Sequence, residues 1–356
     1  MQSVTIPTKG ITFSYLDSGV PADAATAETF IVIHGHSFNA SAYITLLAQA
    51  RLLTARLADV WQNVMAQAPS HGARIIAINR RNYPGSTEYD RAEAETFANG
   101  SLIDRVALMK EEGAILDLMV DALVSQLGLR SVNVLGWSMG NAFLMSMIAA
   151  IVSLPASAAQ RLQAAVKTFI MWDAPITALG FEGYEYNTPL YDESIPPEAR
   201  GFAFVKWVSS YFVHDLDTPA RDLAQLKVFD ADLTRPPTIE KMGEKIMAVA
   251  SMQESIVSDV PIVSDAFQPV LAEIRRAALF SPAVAACWPQ SRVVYLWNTS
   301  SCWNVVWASW TVEKEAKAAG GVGMPLKFKI LEGGNHMSHW DLPEKTMATF
   351  VDSVKA

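Results

Sequence analysis

Val132-Asn133-Val134-Leu135-Gly136-Trp137-Ser138-Met139-Gly140-Asn141 is the stretch on which the reading of this chain turns. Val132 to Leu135 is a short β-branched and apolar run, the composition of a buried strand. Gly136-Trp137-Ser138-Met139-Gly140 follows, and an apolar helix-like segment runs from Asn141 to about Leu154. A G-x-S-x-G turn between a strand and a helix is sharp and strained, and it lifts the serine hydroxyl clear of the sheet. Side chains two positions to either side of Ser138 would collide with the neighbouring strand and helix, so both places need Gly. Ser138 is therefore the candidate nucleophile, and the N–H of Met139 faces any oxyanion that forms beside it.

Three further marks fall in a fixed order around this turn. His34-Gly35-His36 follows an apolar run upstream, and Asn79-Arg80-Arg81-Asn82-Tyr83-Pro84-Gly85-Ser86 follows another. Near the C-terminus, Gly334-Asn335-His336-Met337-Ser338-His339-Trp340-Asp341-Leu342-Pro343-Glu344 completes the set. With these marks spanning nearly the whole chain, the sequence resembles the α/β-hydrolase fold superfamily, in particular serine hydrolases with a cap domain. The resemblance implies a mostly parallel central sheet with helices on both faces and a helical cap inserted after the sixth strand.

The chain order supports that architecture. Residues 2–6 and 11–17 alternate as a hairpin around Lys9-Gly10. Phe30-Ile31-Val32-Ile33, Arg74 to Asn79, Thr168 to Trp172, Arg292 to Trp297 and Leu326 to Leu331 read as further strands. Residues 40–67 have helical spacing, 87–101 look polar and loop-like, and Ile103 to Leu127 is an amphipathic helix ending at Gly128. Val305 to Ala319 and Glu344 to Val354 complete the helices. Between 176 and 287 the alternation breaks, Pro196-Pro197 and Pro236-Pro237 punctuate the chain, and aromatic residues concentrate. The expected domains are a core of 1–175 with 288–356 and a cap of 176–287.

Composition narrows the function classes. The 356 residues are 51% hydrophobic and carry 28 basic against 36 acidic side chains, a net charge of −8. No Lys/Arg cluster stands out, so nucleic acid and anionic membrane surfaces are not expected partners. Cys287 and Cys302 have no metal-ligand spacing, and a disulfide between them is possible but not implied. The N-terminus lacks a charged-then-apolar signal pattern, and the apolar stretch around Phe143 to Leu154 is too short to span a bilayer. The expectation is a cytoplasmic protein, monomer or homodimer, with no cofactor and no metal.

The resemblance also implies site residues. His336 is the expected base, with His339 as its competitor, and Gly333-Gly334 suits a mobile loop reaching back over the sheet. The family's usual place for the acid, after the strand Arg292 to Trp297, reads Asn298-Thr299-Ser300-Ser301-Cys302-Trp303-Asn304 and has no carboxylate. Some relatives carry the acid one strand earlier, where Asp173 stands. The competing reading is that Asp173 caps a turn and that Asn298, a hydroxyl or water orients His336. The resemblance places the second oxyanion-hole donor at the backbone of His36, and Trp137, Ser37 and Trp340 are expected at the substrate. His34, Arg80 and Arg81 are expected to brace loops.

Ser138, His336 and Asp173 would together catalyse acyl transfer to water. The expected function is hydrolysis of a carboxylic ester or lactone of a small hydrophobic metabolite through an acyl-enzyme. Two alternatives stay open: a carbon–carbon bond hydrolase or lyase on the same triad, and a non-catalytic small-ligand receptor. A serine in place of a carboxylate argues against the epoxide hydrolases and haloalkane dehalogenases of this fold.

Overall fold

The computed structural model describes residues 1–23, 27–36, 60–181, 187–217, 221–242 and 259–355. Eight strands form one sheet: β1 (Gln2–Ile6), β2 (Ile11–Asp17), β3 (Glu28–Ile33), β4 (Ala73–Ile78), β5 (Val132–Trp137), β6 (Val166–Trp172), β7 (Arg292–Asn298) and β8 (Leu326–Leu331). Their order is β1-β2-β4-β3-β5-β6-β7-β8. β1 and β2 form the antiparallel hairpin, β2 runs antiparallel to β4, and β4 through β8 are parallel. β4 and β5 are buried at every position because helices cover both faces of the sheet there.

The helices, in chain order, are α1 (Gln62–Gln67), α2 (Arg91–Asn99), α3 (Leu102–Leu127), α4 (Gly140–Ala150), α5 (Ala156–Ala165), α6 (Ile176–Leu179), α7 (Pro197–Val208), α8 (Thr238–Met242), α9 (Gln268–Phe280), α10 (Pro282–Cys287), α11 (Trp303–Ala319), α12 (Ser338–Asp341) and α13 (Pro343–Val354). α4 is the apolar segment behind the elbow, and all of its residues are buried. One apolar core joins α3, α4, α9 and α11 to the sheet, while α1 and α13 cover a second core on Phe30, Val32, Trp137 and Trp172. Among the described residues no helix is long and apolar enough to cross a membrane.

Most expected elements stand where the pattern put them, including the stop of α3 at Gly128, whose φ of 64° is left-handed. One reading changes. The stretch 87–101 is not all loop, because Asp90 and Glu93 cap each other's backbone in a capping box that starts α2. The end of the expected cap, α9, packs against α3 and α4 in the core layer. Of the expected helix at 40–67, residues 40–59 lie outside the described ones.

The stretch leaving β6 is fastened at once. α6 rests on α4, α9 and α11, and its Leu179 and Thr177 carbonyls accept from Arg275 and Gln268 of α9. It ends at Gly180, with φ of 70°, where an added Cβ would stand 2.1 Å from the Ala272 nitrogen.

Candidate active site

β3 and β5 are neighbours whose chain connections leave in opposite directions, β3 to β4 on one side and β5 to β6 on the other. Such a switch point opens a crevice beyond the C-terminal strand ends. Gly35 and Ser138 both lie at this crevice. The register pairs Ile33 with Gly136, so the chain past each strand end stays in contact. A Cβ on Gly35 would come within 2.8 Å of Ser138 Cβ and 3.3 Å of its Oγ. Gly136 and Gly140 obey the collision argument as well. A Cβ on Gly140 would lie 2.2 Å from the Ile33 carbonyl oxygen, and one on Gly136 would lie 2.9 Å from the Gly140 oxygen and from Leu144 Cβ.

Ser138 has φ of 55° and Asp173 φ of 50°, left-handed values that cost a non-glycine residue on the order of 1–3 kcal/mol. Both are the first residue past a parallel strand, and each is held by one further ladder bond. Ser138 N–H donates to the Trp172 carbonyl at 3.1 Å, and Asp173 N–H donates to Leu296 at 2.8 Å. Asn141 then donates to the carbonyls of both Ser138 and Trp172, stitching the two strand ends together.

Asp173 is fully buried, and its Oδ2 lies 2.6 Å from His336 Nδ1. A carboxylate only accepts, so Nδ1 carries the proton and Nε2 of the neutral ring is the acceptor. Two more donors hold the carboxylate: the Asn298 N–H at 2.8 Å from Oδ1 and the Ser301 hydroxyl at 2.6 Å from Oδ2. The loop after β7 thus lacks an acid but supplies the donors that hold one arriving from β6. Neither Asn298 nor a hydroxyl takes the acid's place at His336, although Asn298 does pin the loop before it, through its Nδ2 to the Asn335 carbonyl. That loop is tied down rather than loose: Asn335 donates to Ser209 and Thr238, and Trp137 Nε1 donates to the His336 carbonyl.

On the opposite wall, His34 is buried and structural. It accepts the Arg80 N–H at Nε2, so its Nδ1–H donates to the Gly35 carbonyl at 2.7 Å. Burial, with Arg80 nearby, pushes its pKa well below the ordinary range. Arg81 braces loops as expected, pairing with Glu93 of α2 and Glu112 of α3. Burial lifts Glu112 to about 7 even against the Arg81 charge. Arg80 instead reaches Asp259, 179 residues away in the chain.

A cleft of about 90 Å³ opens between these walls, lined by His36, Ser138, Met139 and His336 together with Pro175, Thr177, Phe204, Trp207, Val208, Val263, Cys302 and others. Three of the expected residues are elsewhere or cannot be placed. Trp137 is buried on the other face of the sheet, against Trp61 and Trp172, because alternate strand residues point to opposite faces. Trp340 packs partly buried on that same core, its carbonyl accepting from Asn63. Ser37 lies outside the described residues. His339, the competing base, is not at the cleft either. It stacks on Trp61 at 4.7 Å, and among the described residues neither ring nitrogen has a hydrogen-bond partner. Burial, with His336 nearby, pushes its pKa down to about 3. Sequence reasoning missed Ser301 and Asp259. The Ser301 hydroxyl carried a hint in the polar loop after β7, whereas Asp259 carried none. Cys287 and Cys302 are not bonded to each other, and burial, with Asp173 nearby, pushes the Cys302 thiol up.

The model of the alpha/beta hydrolase family matches residues 30–349, which takes in all of these strand ends. The chain belongs to that family. Among solved structures, this alpha/beta hydrolase resembles a bromoperoxidase from Bacillus anthracis (13% identity, 100% of this chain and 99% of the other, TM-score 0.52). An esterase from Exiguobacterium antarcticum matches at 15% identity over 100% of both chains, with a TM-score of 0.52. A 2-hydroxy-6-oxo-6-phenylhexa-2,4-dienoate hydrolase from Rhodococcus sp. strain RHA1 matches at 10% identity, 97% and 95% coverage and a TM-score of 0.51. Identities this low speak for the shared fold alone. No curated protein matches the chain.

Proposed function

We propose that this alpha/beta hydrolase is a serine esterase or lactonase, cleaving a carboxylic ester of a small hydrophobic molecule through an acyl-enzyme. The observation that carries the reading is the 2.6 Å contact between His336 Nδ1 and Asp173 Oδ2 in a cleft shared with Ser138. In the proposed reaction His336 Nε2 takes the Ser138 proton as Oγ attacks the ester carbonyl. The carbonyl oxygen becomes an oxyanion held by the Met139 and His36 N–H groups. Protonated His336 then returns its proton to the leaving alkoxide, and the ester C–O bond breaks. Water, deprotonated by the same nitrogen, hydrolyses the acyl-Ser138 and restores the free hydroxyl.

The missing acid after β7 was the feature that favoured a receptor without turnover, and the contact of Asp173 with His336 removes that support. The cleft's apolar wall of Phe204, Trp207, Val208 and Val263 supports a hydrophobic acyl group. The cap in this reading comprises the chain from about 176 to 287, with α6 and α9 packed against the core helices.

A fluorophosphonate probe and p-nitrophenyl esters of graded chain length test the proposal. Prompt labelling at Ser138, turnover of acetate or butyrate esters, and loss of kcat approaching ~10⁶ in Ser138→Ala are expected. An unlabelled protein, or Ser138→Ala retaining more than a tenth of the activity, would overturn it.

A further inference from the structure

The Gly35–His36 peptide is the part of the cleft wall on which an oxyanion donor at His36 depends. Its carbonyl accepts twice, from His34 Nδ1 at 2.7 Å and from Arg80 Nη2 at 3.2 Å. Arg80 also donates through Nε to the His34 carbonyl at 3.2 Å. The C=O and N–H of a trans peptide point in opposite directions. Fixing the Gly35 carbonyl on Arg80 therefore fixes where the His36 N–H points, away from Arg80.

The guanidinium is itself oriented. Asp259 grips it through Oδ1 to Nη1 at 3.0 Å and Oδ2 to Nη2 at 2.5 Å, a two-pronged pair that sets the plane of the fork. The Tyr83 hydroxyl and the His36 ring also bond to Oδ2, at 2.6 and 3.2 Å. Arg80 and Asp259 are nearly inaccessible to solvent, at 2% and 3%. Residues 259–263 are helical, and Val263 is a wall of the cleft. Residues four apart on a helix lie on one face. One helical turn thus presents Val263 to the cleft and Asp259 to the support of the oxyanion peptide.

We propose that Arg80 and Asp259 are a positioning pair that aims the His36 N–H at the reacting carbonyl and couples that aim to the seating of the Val263 wall. The inference rests on the serine-hydrolase reading and goes beyond it. Neither residue touches substrate. Arg80 acts through the Gly35 carbonyl, and Asp259 acts through Arg80 and the His36 ring.

The test compares wild type, Arg80→Lys and Asp259→Asn for three readouts. These are kcat and KM on a p-nitrophenyl ester, affinity for an alkyl trifluoromethyl ketone, and affinity for the matching alkyl ether. The ketone forms an oxyanion on Ser138, whereas the ether fills the cleft without one. Lysine keeps the charge beside Asp259 but has no fork to hold two carbonyls as well. Removing an oxyanion donor outright costs about 10²–10³ in kcat, so a misaimed donor should cost roughly 10–100-fold. Both variants are expected to lose that much kcat with KM within threefold, to bind the ketone more weakly by the same factor, and to bind the ether unchanged. Folded variants with kcat within threefold of wild type, or with ketone and ether weakened equally, would overturn the proposal. If Asp259→Asn does not fold because Arg80 is left buried and unpaired, Arg80→Lys decides alone. A wild type that the fluorophosphonate does not label removes the serine-hydrolase reading and this inference together. A labelled wild type with unaffected variants removes this inference only.

Discussion

Asp173→Asn exchanges one oxygen for an NH2 group, and the surroundings dictate which one. Oδ1 accepts from the Asn298 main-chain N–H, and Oδ2 accepts from His336 Nδ1 and the Ser301 hydroxyl. A main-chain N–H cannot become an acceptor, so the asparagine must keep its carbonyl oxygen at Oδ1 and place its NH2 at Oδ2. That NH2 donates to His336 Nδ1, which then has to be the unprotonated nitrogen. The ring proton moves to Nε2, and the position that should take the Ser138 proton is already occupied. The Ser301 hydroxyl can rotate to accept, so every buried polar group keeps a partner. We therefore expect kcat to fall by about 10⁴, or about 5 kcal/mol of barrier at 1.36 kcal/mol per decade, with folding stability changed by less than about 1 kcal/mol. The assay is kcat on a p-nitrophenyl ester together with a urea unfolding curve on the same preparation. A folded variant with kcat within tenfold of wild type would refute the orienting role of Asp173.

Two other outcomes follow from packing and from burial. Gly140→Ala would force a methyl against the Ile33 carbonyl at 2.2 Å, where only backbone can yield, and should cost on the order of 2–3 kcal/mol in urea unfolding. An unchanged midpoint would contradict the close approach of elbow and β3. For His339, the folded pKa of about 3 lies below the ordinary 6.5 because of burial. The unfolded chain therefore takes up a proton between about 6.5 and 3 that the folded chain refuses, and stability drops as pH falls through that window. Between pH 8 and 5 wild type should lose about 2 kcal/mol relative to His339→Phe, whose ring stays neutral. Parallel stability curves for the two proteins would show that the imidazole is not buried as described.

The strands were legible because burial on both faces leaves continuous apolar runs, as in Phe30 to Ile33 and Ile75 to Ile78. The elbow was legible because Gly136 and Gly140 answer to backbone collisions that any other residue would suffer. Asp173 could be singled out only as a carboxylate at a strand end, since its three donors come from β7, its loop and the C-terminal region. Other parts left no trace in the pattern. α2 buries only Phe97, so no apolar stripe marks it, although its capping box was in plain view. α9 has an amphipathic face that would look the same under a lid or in the core. Trp137 was misassigned because adjacency to Ser138 along the chain is not adjacency in space when strand residues alternate faces. The Arg80–Asp259 pair joins segments 179 residues apart, a distance over which sequence periodicity carries no information.

The fastening of α6 has a mechanical consequence. Asp173 and the first residue of α6 are separated only by Ala174 and Pro175, so whatever the following segment does begins almost at the acid. Yet within two turns of chain the backbone is moored to α9 by side-chain clasps and by the steric lock at Gly180. Load applied farther along is absorbed at that mooring before it reaches the carboxylate. The 2.6 Å grip of Asp173 on His336 is thereby referred to the core helices α4, α9 and α11 that hold α6.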